Sequence, residues 1–281
     1  MKLTRRNFLT ALLSTSVAGF AGPCYMRFAE PNWFEITEKT VPLNRFKEPL
    51  RILHLSDFHV SDETSLNRLK RAVSLSLELQ PDLAFITGDF ITWNLHNPIE
   101  YRNTLRRLSD QIPVLACLGN HDGRSWASRT HGYPTYTKVQ QLLDSSNVTL
   151  LFNSQTQVDL GEKHFSVVGL GDLWSGNTKP EAILEKTRSN EDPIFVLSHN
   201  PDSKSILEAF DWDLLCCGHT HGGQLVIPFL NWRPFLPVTD TSFPEGLKHW
   251  KDRYIHITRG IGSLHDMRFN CRPEISLLNV C

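Results

Sequence analysis

His219 and His221 stand one residue apart at the end of an apolar run, in the segment LLCCGHTHGGQL (214–225). This spacing can turn two imidazoles toward one point at the end of a strand, and imidazole is the commonest metal-binding side chain. The two glycines that follow permit backbone angles with φ > 0 and let another group come close. Such a geometry suits a metal ion or a phosphate group.

Polar residues of the same kind end four other apolar runs of the chain. They are Asp57 with His59, Asp89, Asn120 with His121, and His199. In open α/β sheets ligands bind at the carboxyl ends of the strands, so these side chains are predicted to lie close together. Carboxylate, amide and imidazole donors without thiolates favour Mn, Fe, Zn, Co or Ni over a Ca²⁺ cage. The donors are too many for one tetrahedral ion, which indicates two ions that share a bridging carboxylate.

The elements that must position these residues alternate along the chain. The run 50–57 predicts a buried strand, and apolar residues at helical spacing over 65–80 predict a helix. A second helix is predicted at 98–109, and further strands at 82–89, 112–120, 148–152, 164–171, 193–200, 211–219, 253–260 and 274–280. The alternation is typical of an α/β domain with mixed sheets.

Five short motifs, taken in order, resemble those of the calcineurin-like metallophosphoesterases. They are DFH (57–59), GD (88–89), GNHD (119–122), SH (198–199) and GHTH (218–221). Each motif alone is weak, but five in order, each after a predicted strand, are highly specific. The resemblance covers the chain from residue 50 onward and implies a four-layered α/β/β/α sandwich. It also implies a metal-dependent hydrolase of phosphoester bonds, with phosphodiesters as the favoured substrates.

The resemblance also implies a role for each motif residue. Seven ligands would hold two divalent ions (Mn, Fe or Zn). Asp57, His59 and His221 would bind the first ion, and Asn120, His199 and His219 would bind the second. Asp89 would bridge the two ions. His121 would be the general acid or transition-state stabiliser, and Asp122 would orient its imidazole. A hydroxide that bridges the two ions would attack phosphorus in line. Thr92 stands where some members carry a further Asp, so the surroundings of Asp89 are expected to differ.

The N-terminal sequence differs in character from the rest of the chain. Residues 1–24 contain Lys2 and the adjacent pair Arg5 and Arg6, followed by an apolar stretch over 8–21. This stretch is shorter than the roughly 20 residues that span a bilayer. It predicts a twin-arginine export signal, with an uncleaved membrane anchor as the alternative. The predicted organisation is therefore a signal or anchor (1–24), a connecting segment (25–49) and a metallophosphoesterase domain (50–281) at a bacterial cell envelope, in the periplasm or at the inner membrane.

Composition and one apolar stretch bear on the partners of the protein. The 281 residues carry a net charge of -1, which gives no reason to expect nucleic-acid binding. The stretch LVIPFLNWRPFLPV (225–238) directly follows the last motif, and its prolines argue against a continuous helix. The expected arrangement is a loop packed against the second sheet. The alternative is an apolar wall beside the cleft, suited to an acyl chain or a membrane surface.

Three functions are compatible with these residues. The first is a phosphodiesterase that acts on a phosphodiester, including a lipid-linked one. The second is a pyrophosphatase that acts on a lipid-linked sugar nucleotide, such as UDP-2,3-diacylglucosamine of lipid A synthesis. The third is a non-catalytic metal-binding module, against which the complete set of motif residues argues.

Overall fold

Strands and helices alternate in the computed structural model, which describes residues 21–43, 46, 48–62, 64–187 and 192–281. The strands are β1 (Glu35–Val41), β2 (Leu50–Leu55), β3 (Leu83–Thr87), β4 (Val114–Cys117), β5 (Thr149–Leu150), β6 (Ser154–Leu160), β7 (Lys163–Gly169), β8 (Ile194–Leu197), β9 (Leu214–Cys217), β10 (Gly246–Trp250), β11 (Arg253–Ile257) and β12 (Glu274–Val280). The α-helices are α1 (Leu66–Glu78), α2 (Pro98–Ser109), α3 (Arg124–Arg129), α4 (Thr137–Ser145) and α5 (Glu181–Thr187). Most of the predicted export signal lies outside the described residues. Within them, no helix combines the length and the apolar character needed to cross a membrane.

The strands form two mixed six-stranded sheets. The first has the order β1-β12-β2-β3-β4-β5, and the second has the order β10-β11-β9-β8-β7-β6. Strands β2 to β5 run parallel in the first sheet, and β7, β8, β9 and β11 run parallel in the second. Parallel neighbours bring their carboxyl ends to one edge of a sheet, and the motif residues follow these ends.

Three apolar clusters separate four layers. The outer face of the first sheet, which includes Leu53 and Ile86, packs on α1, α2 and α4. The inner faces of the two sheets meet through residues such as Phe85 and Phe195, whose ring centroids are 6.3 Å apart. The outer face of the second sheet, which includes Leu215, packs on α5. The predicted four-layered α/β/β/α sandwich is therefore confirmed.

Local sequence explains the elements next to the motifs. Every residue of β3 is buried, as expected for a central strand that is covered on both faces. Helix α1 begins after Ser65, whose side chain accepts a hydrogen bond from the Asn67 N–H, and it buries Leu69 and Val73. Helix α2 has Pro98 in its first turn, where the missing N–H leaves no helical hydrogen bond unmade.

Three strands have no counterpart among the predicted ones, namely β1, β6 and β10. Each lies at the edge of its sheet and contains partly exposed residues instead of an apolar run. Strand β1 comes from the segment 25–49 and pairs in parallel with β12. Residues 35–41 of the predicted connecting segment are therefore part of the first sheet.

Candidate metal centre

Tight turns after the strands carry the predicted ligands. Five of these residues have left-handed backbone angles: Asp57 (φ 54°), His59 (47°), Asp89 (55°), His219 (68°) and His221 (49°). Such conformations cost on the order of 1–3 kcal/mol each and are concentrated at functional sites. The turns after β2 and β3 support each other, because the N–H groups of Asp57 and His59 donate to the Gly88 and Asp89 carbonyls at 3.0 Å.

Glycines in the motifs let these turns approach one another. A Cβ at Gly218 would overlap the side chains of Ser56 and Asp57. A Cβ at Gly119 would overlap the Asp89 carboxylate. Glycine at 218 therefore lets a turn of the second sheet approach a turn of the first, and glycine at 119 lets two neighbouring turns of the first sheet approach each other.

Asp57, His59 and His221 form the first group of ligand atoms. The three side chains are buried, and one donor atom from each lies within 4.8 Å of the others. The Nε2 atoms of His59 and His221 are 3.1 Å apart. Asp57 Oδ1 lies 3.4 Å from His221 Nε2. The set is the one predicted for the first ion.

Asp89, His199 and His219 form the second group. Asp89 Oδ2 lies 3.1 Å from His199 Nε2, which in turn lies 3.1 Å from His219 Nδ1. The same carboxylate oxygen lies 3.4 Å from His59 Nε2 of the first group, so Asp89 stands between the two. Asn120 is buried beside them, and its Oδ1 has no hydrogen-bond partner within the described chain.

The outer nitrogens of three histidines are bound to protein oxygens. His199 Nδ1 donates to the Thr87 carbonyl at 2.6 Å, and His219 Nε2 donates to the Pro237 carbonyl at 3.1 Å. His59 Nδ1 lies 3.3 Å from the hydroxyl of Thr92, which itself donates to the His59 carbonyl. When these imidazoles are neutral, their inner nitrogens carry lone pairs that face one another. A cation between them suits this arrangement, and second hydrogen bonds of this kind are typical of metal-binding histidines.

Burial and mutual charge shift the ionisation of the centre. Burial raises the pKa of Asp57 to about 6. It lowers the pKa of His59 and His221 well below the usual value. Burial also opposes the charging of His199, but the charge and hydrogen bond of Asp89, together with the charges of Asp57 and Asp172, outweigh it and raise the pKa of His199 to about 10. A divalent cation would favour ionised carboxylates and neutral imidazoles here, which are the forms that bind metals.

His121 lies beside both groups and lines a cleft. Its Nδ1 donates to the Thr92 carbonyl at 2.8 Å, which leaves Nε2 available for proton transfer. Its backbone N–H donates to Asp89 Oδ1 at 2.9 Å. The rings of Trp93 and Trp126 pack against the imidazole, with centroids 5.3 and 4.4 Å away. One His121 nitrogen also lies within 4.8 Å of ligand atoms of His59 and Asp89, so ligation by His121 is the alternative to proton transfer.

Asp122 does not orient the His121 imidazole, contrary to the prediction. Its carboxylate accepts the backbone N–H groups of Asp89 (2.9 Å), Phe90 (2.8 Å) and Gly119 (2.8 Å). Burial, followed by the Asp89 charge, raises the pKa of Asp122 to about 8. The residue fixes the turns after β3 and β4, so it is a positioning residue, and the Thr92 carbonyl takes the role expected of it.

Thr92 and Arg268 support the centre without having been predicted to do so. Thr92 holds His59 with its hydroxyl and His121 with its carbonyl. The Arg268 side chain is fully buried and donates to the carbonyls of Arg259 (2.7 Å) and Gly260 (3.2 Å). Those residues stand beside Asp57, since a Cβ at Gly260 would overlap its side chain. The position of Thr92 after the GD motif is a sequence signal, whereas nothing local marks Arg268.

An apolar cleft of about 440 Å³ opens onto the centre. Ring contacts join its wall to the predicted site, since Trp126 packs on His121 and the Trp174 ring lies 4.3 Å from that of His219. Other apolar residues of the wall are Leu225, Phe235, Pro237, Leu264 and Met267. The expectation that the 225–238 loop packs against the second sheet is wrong. Part of the loop lines the cleft, and its tip is exposed.

A four-layered sandwich with two clustered sets of metal-binding side chains at the strand ends defines a metallophosphoesterase. The sequence profile of the calcineurin-like phosphoesterase family matches residues 50–223. The chain belongs to this family, and it is a metal-dependent hydrolase of phosphoester bonds. The resemblance noted in the motifs is thereby confirmed.

Named relatives cover nearly the whole chain. Phosphodiesterase YaeI of Escherichia coli strain K12 is 38% identical over 99% of this chain and 99% of its own length. The uncharacterised metallophosphoesterase YkuE of Bacillus subtilis strain 168 is 29% identical over 99% of this chain and 98% of its own length. UDP-2,3-diacylglucosamine pyrophosphatase LpxG of Chlamydia trachomatis is 27% identical over 96% of this chain and 95% of its own length.

Proposed function

We propose that this chain is a phosphodiesterase, and the charge of the cleft is the observation that carries the proposal. Among the described residues that line the cleft, none is Lys or Arg. A phosphomonoester has one more negative charge than a diester and needs extra cationic groups to hold it. Arg124 packs over the Tyr136 ring at 5.0 Å, and Arg259 pairs with Glu274 at 3.2 Å, so both arginines are engaged elsewhere. The similarity to phosphodiesterase YaeI supports the same substrate class.

The residues of the centre would have separate roles in hydrolysis. Two divalent ions held by the seven predicted ligands would supply the nucleophile and Lewis acidity toward the phosphoryl oxygens. His121 has its Nδ1 fixed on the Thr92 carbonyl, so Nε2 is the atom that protonates or stabilises the leaving oxygen. Trp126 makes an edge contact with the same imidazole, which is buried, so bulk water has little access to it.

The apolar wall supports a second candidate, a pyrophosphatase that acts on a lipid-linked sugar nucleotide. Trp174, Phe235 and Met267 offer an acyl chain or an aromatic group an apolar surface next to the predicted ligands. The relative LpxG bears the name of such an enzyme. The remaining alternative, a non-catalytic metal-binding module, is disfavoured because the predicted ligands and His121 lie together.

Substrate preference tests the proposal. With the metal-loaded protein, bis(p-nitrophenyl) phosphate should be cleaved with a kcat/KM at least about tenfold higher than p-nitrophenyl phosphate, a difference of about 1.4 kcal/mol. The reason is that no Lys or Arg side chain of the described cleft wall meets the second charge of the monoester. A preference for the monoester would reject the phosphodiesterase.

The same assay separates the two candidates when an acylated sugar nucleotide and its deacylated analogue are added. An acyl-dependent turnover that Phe235→Ala removes, while Phe229→Ala does not, would favour the pyrophosphatase. The two phenylalanines make a matched pair because Phe235 lines the cleft, whereas Phe229 is fully exposed at the loop tip. Equal turnover of both nucleotides would reject that candidate.

We further propose that the chain is exported to the bacterial envelope through a twin-arginine signal and associates with the inner membrane. Arg5 and Arg6 precede the apolar stretch 8–21, as in such signals. A reporter fused after residue 44 should reach the periplasm, and Arg5→Lys with Arg6→Lys should abolish its export although the charge is kept. Cell fractionation measures the outcome. Export that survives the double substitution would contradict the twin-arginine route.

A further inference from the structure

The tip of the 225–238 loop exposes a group of large apolar side chains. The exposed fractions are 107% for Phe229, 72% for Leu230, 59% for Trp232 and 64% for Phe235. Exposed apolar residues are common singly, but a group of four in seven positions marks an interaction surface. The side chains are held on a defined turn, because the Ile227 N–H donates to the Trp232 carbonyl at 2.9 Å.

The loop tip presents no free charge. Arg233 is the one charged residue in the sequence 228–235, and its Nη2 pairs with Glu245 at 2.7 Å. Its Nη1 donates to the carbonyl of Gly222, the residue after His221. The guanidinium is therefore turned away from the tip and ties the loop to the metal-binding turn.

The N-terminal part of the described chain is attached next to this loop. Phe269 donates its N–H to the Gln224 carbonyl at 3.0 Å, at the start of the loop. The preceding residue, Arg268, donates its N–H to the Met26 carbonyl at 2.9 Å. Phe28, two residues beyond Met26, is 68% exposed. The loop and the N-terminal segment with the exposed Phe28 thus both adjoin the segment 264–269, and this N-terminal segment follows the apolar sequence 8–21 in the chain.

We propose that the tip of the 225–238 loop docks on the surface of a lipid bilayer. Phe, Leu and Trp without a free charge are the composition that enters the region between head groups and acyl chains. The nearby N-terminal segment supplies the second attachment, and stable membrane binding generally takes two signals. The docking site rests on the proposed envelope location and deepens it by naming the surface.

Docking by this tip places the cleft beside the lipid. Phe235 belongs both to the exposed group and to the cleft wall, which also contains Leu225 from the same loop and Met267 from the segment 264–269. An acyl chain that leaves the bilayer meets apolar side chains all the way to the predicted ligands. The Arg233 contact with Gly222 keeps this path aligned with the metal-binding turn.

Depth-dependent quenching in vesicles tests the docking site with the full chain. Cys24 is exposed and Cys281 is partly exposed, whereas the other four cysteines are buried, so Cys24→Ser with Cys281→Ser gives a background suited to labelling. A nitrobenzoxadiazole probe is attached through Leu230→Cys at the tip, or through Ile99→Cys as the matched control, since Ile99 is 69% exposed on α2. The vesicles contain phosphatidylethanolamine and phosphatidylglycerol, with or without brominated acyl chains. We expect at least about a twofold rise in emission and quenching by brominated lipid at position 230, and neither at position 99.

A second pair of variants measures affinity. Phe229→Ser with Leu230→Ser should weaken vesicle binding at least about tenfold, because two apolar side chains that the bilayer would bury are lost, whereas Ile99→Ser should leave it unchanged. Equal probe responses at positions 230 and 99, or vesicle binding with no response at 230, would overturn the docking site. A concentration-dependent dimer that Phe229→Ser dissociates would also overturn it, in favour of a second copy of the chain. Hydrolysis of bis(p-nitrophenyl) phosphate is measured in the same samples to distinguish failure of the docking site from failure of the proposed function. Parent-like turnover without burial of the probe rejects the docking site alone.

Discussion

Asp89→Asn is expected to lower the turnover of bis(p-nitrophenyl) phosphate by more than about 10²-fold and to reduce the content of both metal ions. The Asp89 carboxylate lies 3.1 Å from His199 Nε2 and 3.4 Å from His59 Nε2, between the two groups of ligands. Substituting outer residues that merely support ligands costs about 10–100-fold, so a shared ligand should cost more. Elemental analysis of the purified variant and steady-state kinetics measure the two effects.

Asp159→Asn is the matched control for this substitution. Asp159 is exposed on β6 and contacts His164, far in sequence from any motif, so parent-like metal content and turnover are expected. If Asp89→Asn retained two tightly bound ions with near-parent turnover, the bridging role of Asp89 would be rejected. Loss of one ion alone would assign Asp89 to a single site.

His121→Ala is expected to leave the metal content intact and to lower turnover by about 10²–10⁴-fold, the usual contribution of a general acid or base. The loss should be smaller for p-nitrophenyl leaving groups, which need little protonation, than for alkyl leaving groups. Kinetics across a series of diesters with leaving groups of different pKa measure this dependence. His96→Ala is the control, because His96 lies in the same loop as Trp93 and contacts the exposed Asp62 at 3.1 Å.

The two alternatives for His121 give different results. An equal loss for good and poor leaving groups would replace proton donation by stabilisation of charge in the transition state. Loss of a metal ion together with activity would make His121 a ligand, as its position within 4.8 Å of atoms of His59 and Asp89 permits. Turnover that stays within a few-fold of the parent would remove His121 from the chemistry.

The central strands of the fold can be predicted from the sequence, whereas the edge strands cannot. Strands β2, β3, β8 and β9 are covered on both faces, so they appear as short apolar runs that end in polar motifs. Strand β6 alternates half-buried and exposed residues at the edge of the second sheet, and no apolar run marks it. The division into two sheets rests on pairings between distant segments, such as β1 with β12. Only the family resemblance predicts that division.

The ligands of the candidate site can also be predicted from the sequence, because each motif directly follows a predictable central strand. The hydrogen bonds that support these ligands cannot be predicted from the sequence, since several of them use backbone carbonyls. His199 and His219 donate to the carbonyls of Thr87 and Pro237, which any residue type would offer. Asp122 follows His121 directly, but the turn directs its carboxylate to backbone N–H groups instead of the imidazole. The prediction from sequence adjacency that Asp122 contacts the His121 imidazole is therefore wrong.

The exposure of the tip of the 225–238 loop could not be predicted from its apolar composition. Apolar residues that follow a strand usually pack against the sheet, and Val226 at the start of the loop is buried, with 5% of its surface exposed. The turn that follows carries Phe229 and Leu230 outward, because the pairing of Ile227 with Trp232 closes a hairpin at that point. The direction of the hairpin depends on its contacts with residues 264–269, which the local sequence does not encode.

The number of metal ions needed for turnover tests the central claim most directly. The protein is stripped of metal with a chelator and titrated with Mn²⁺, and in parallel with Zn²⁺, while bound ions and hydrolysis of bis(p-nitrophenyl) phosphate are measured in the same samples. A dinuclear phosphodiesterase predicts no turnover in the stripped protein and a plateau at two ions per chain. Full turnover at one ion per chain, or turnover that survives removal of all metal, would contradict it.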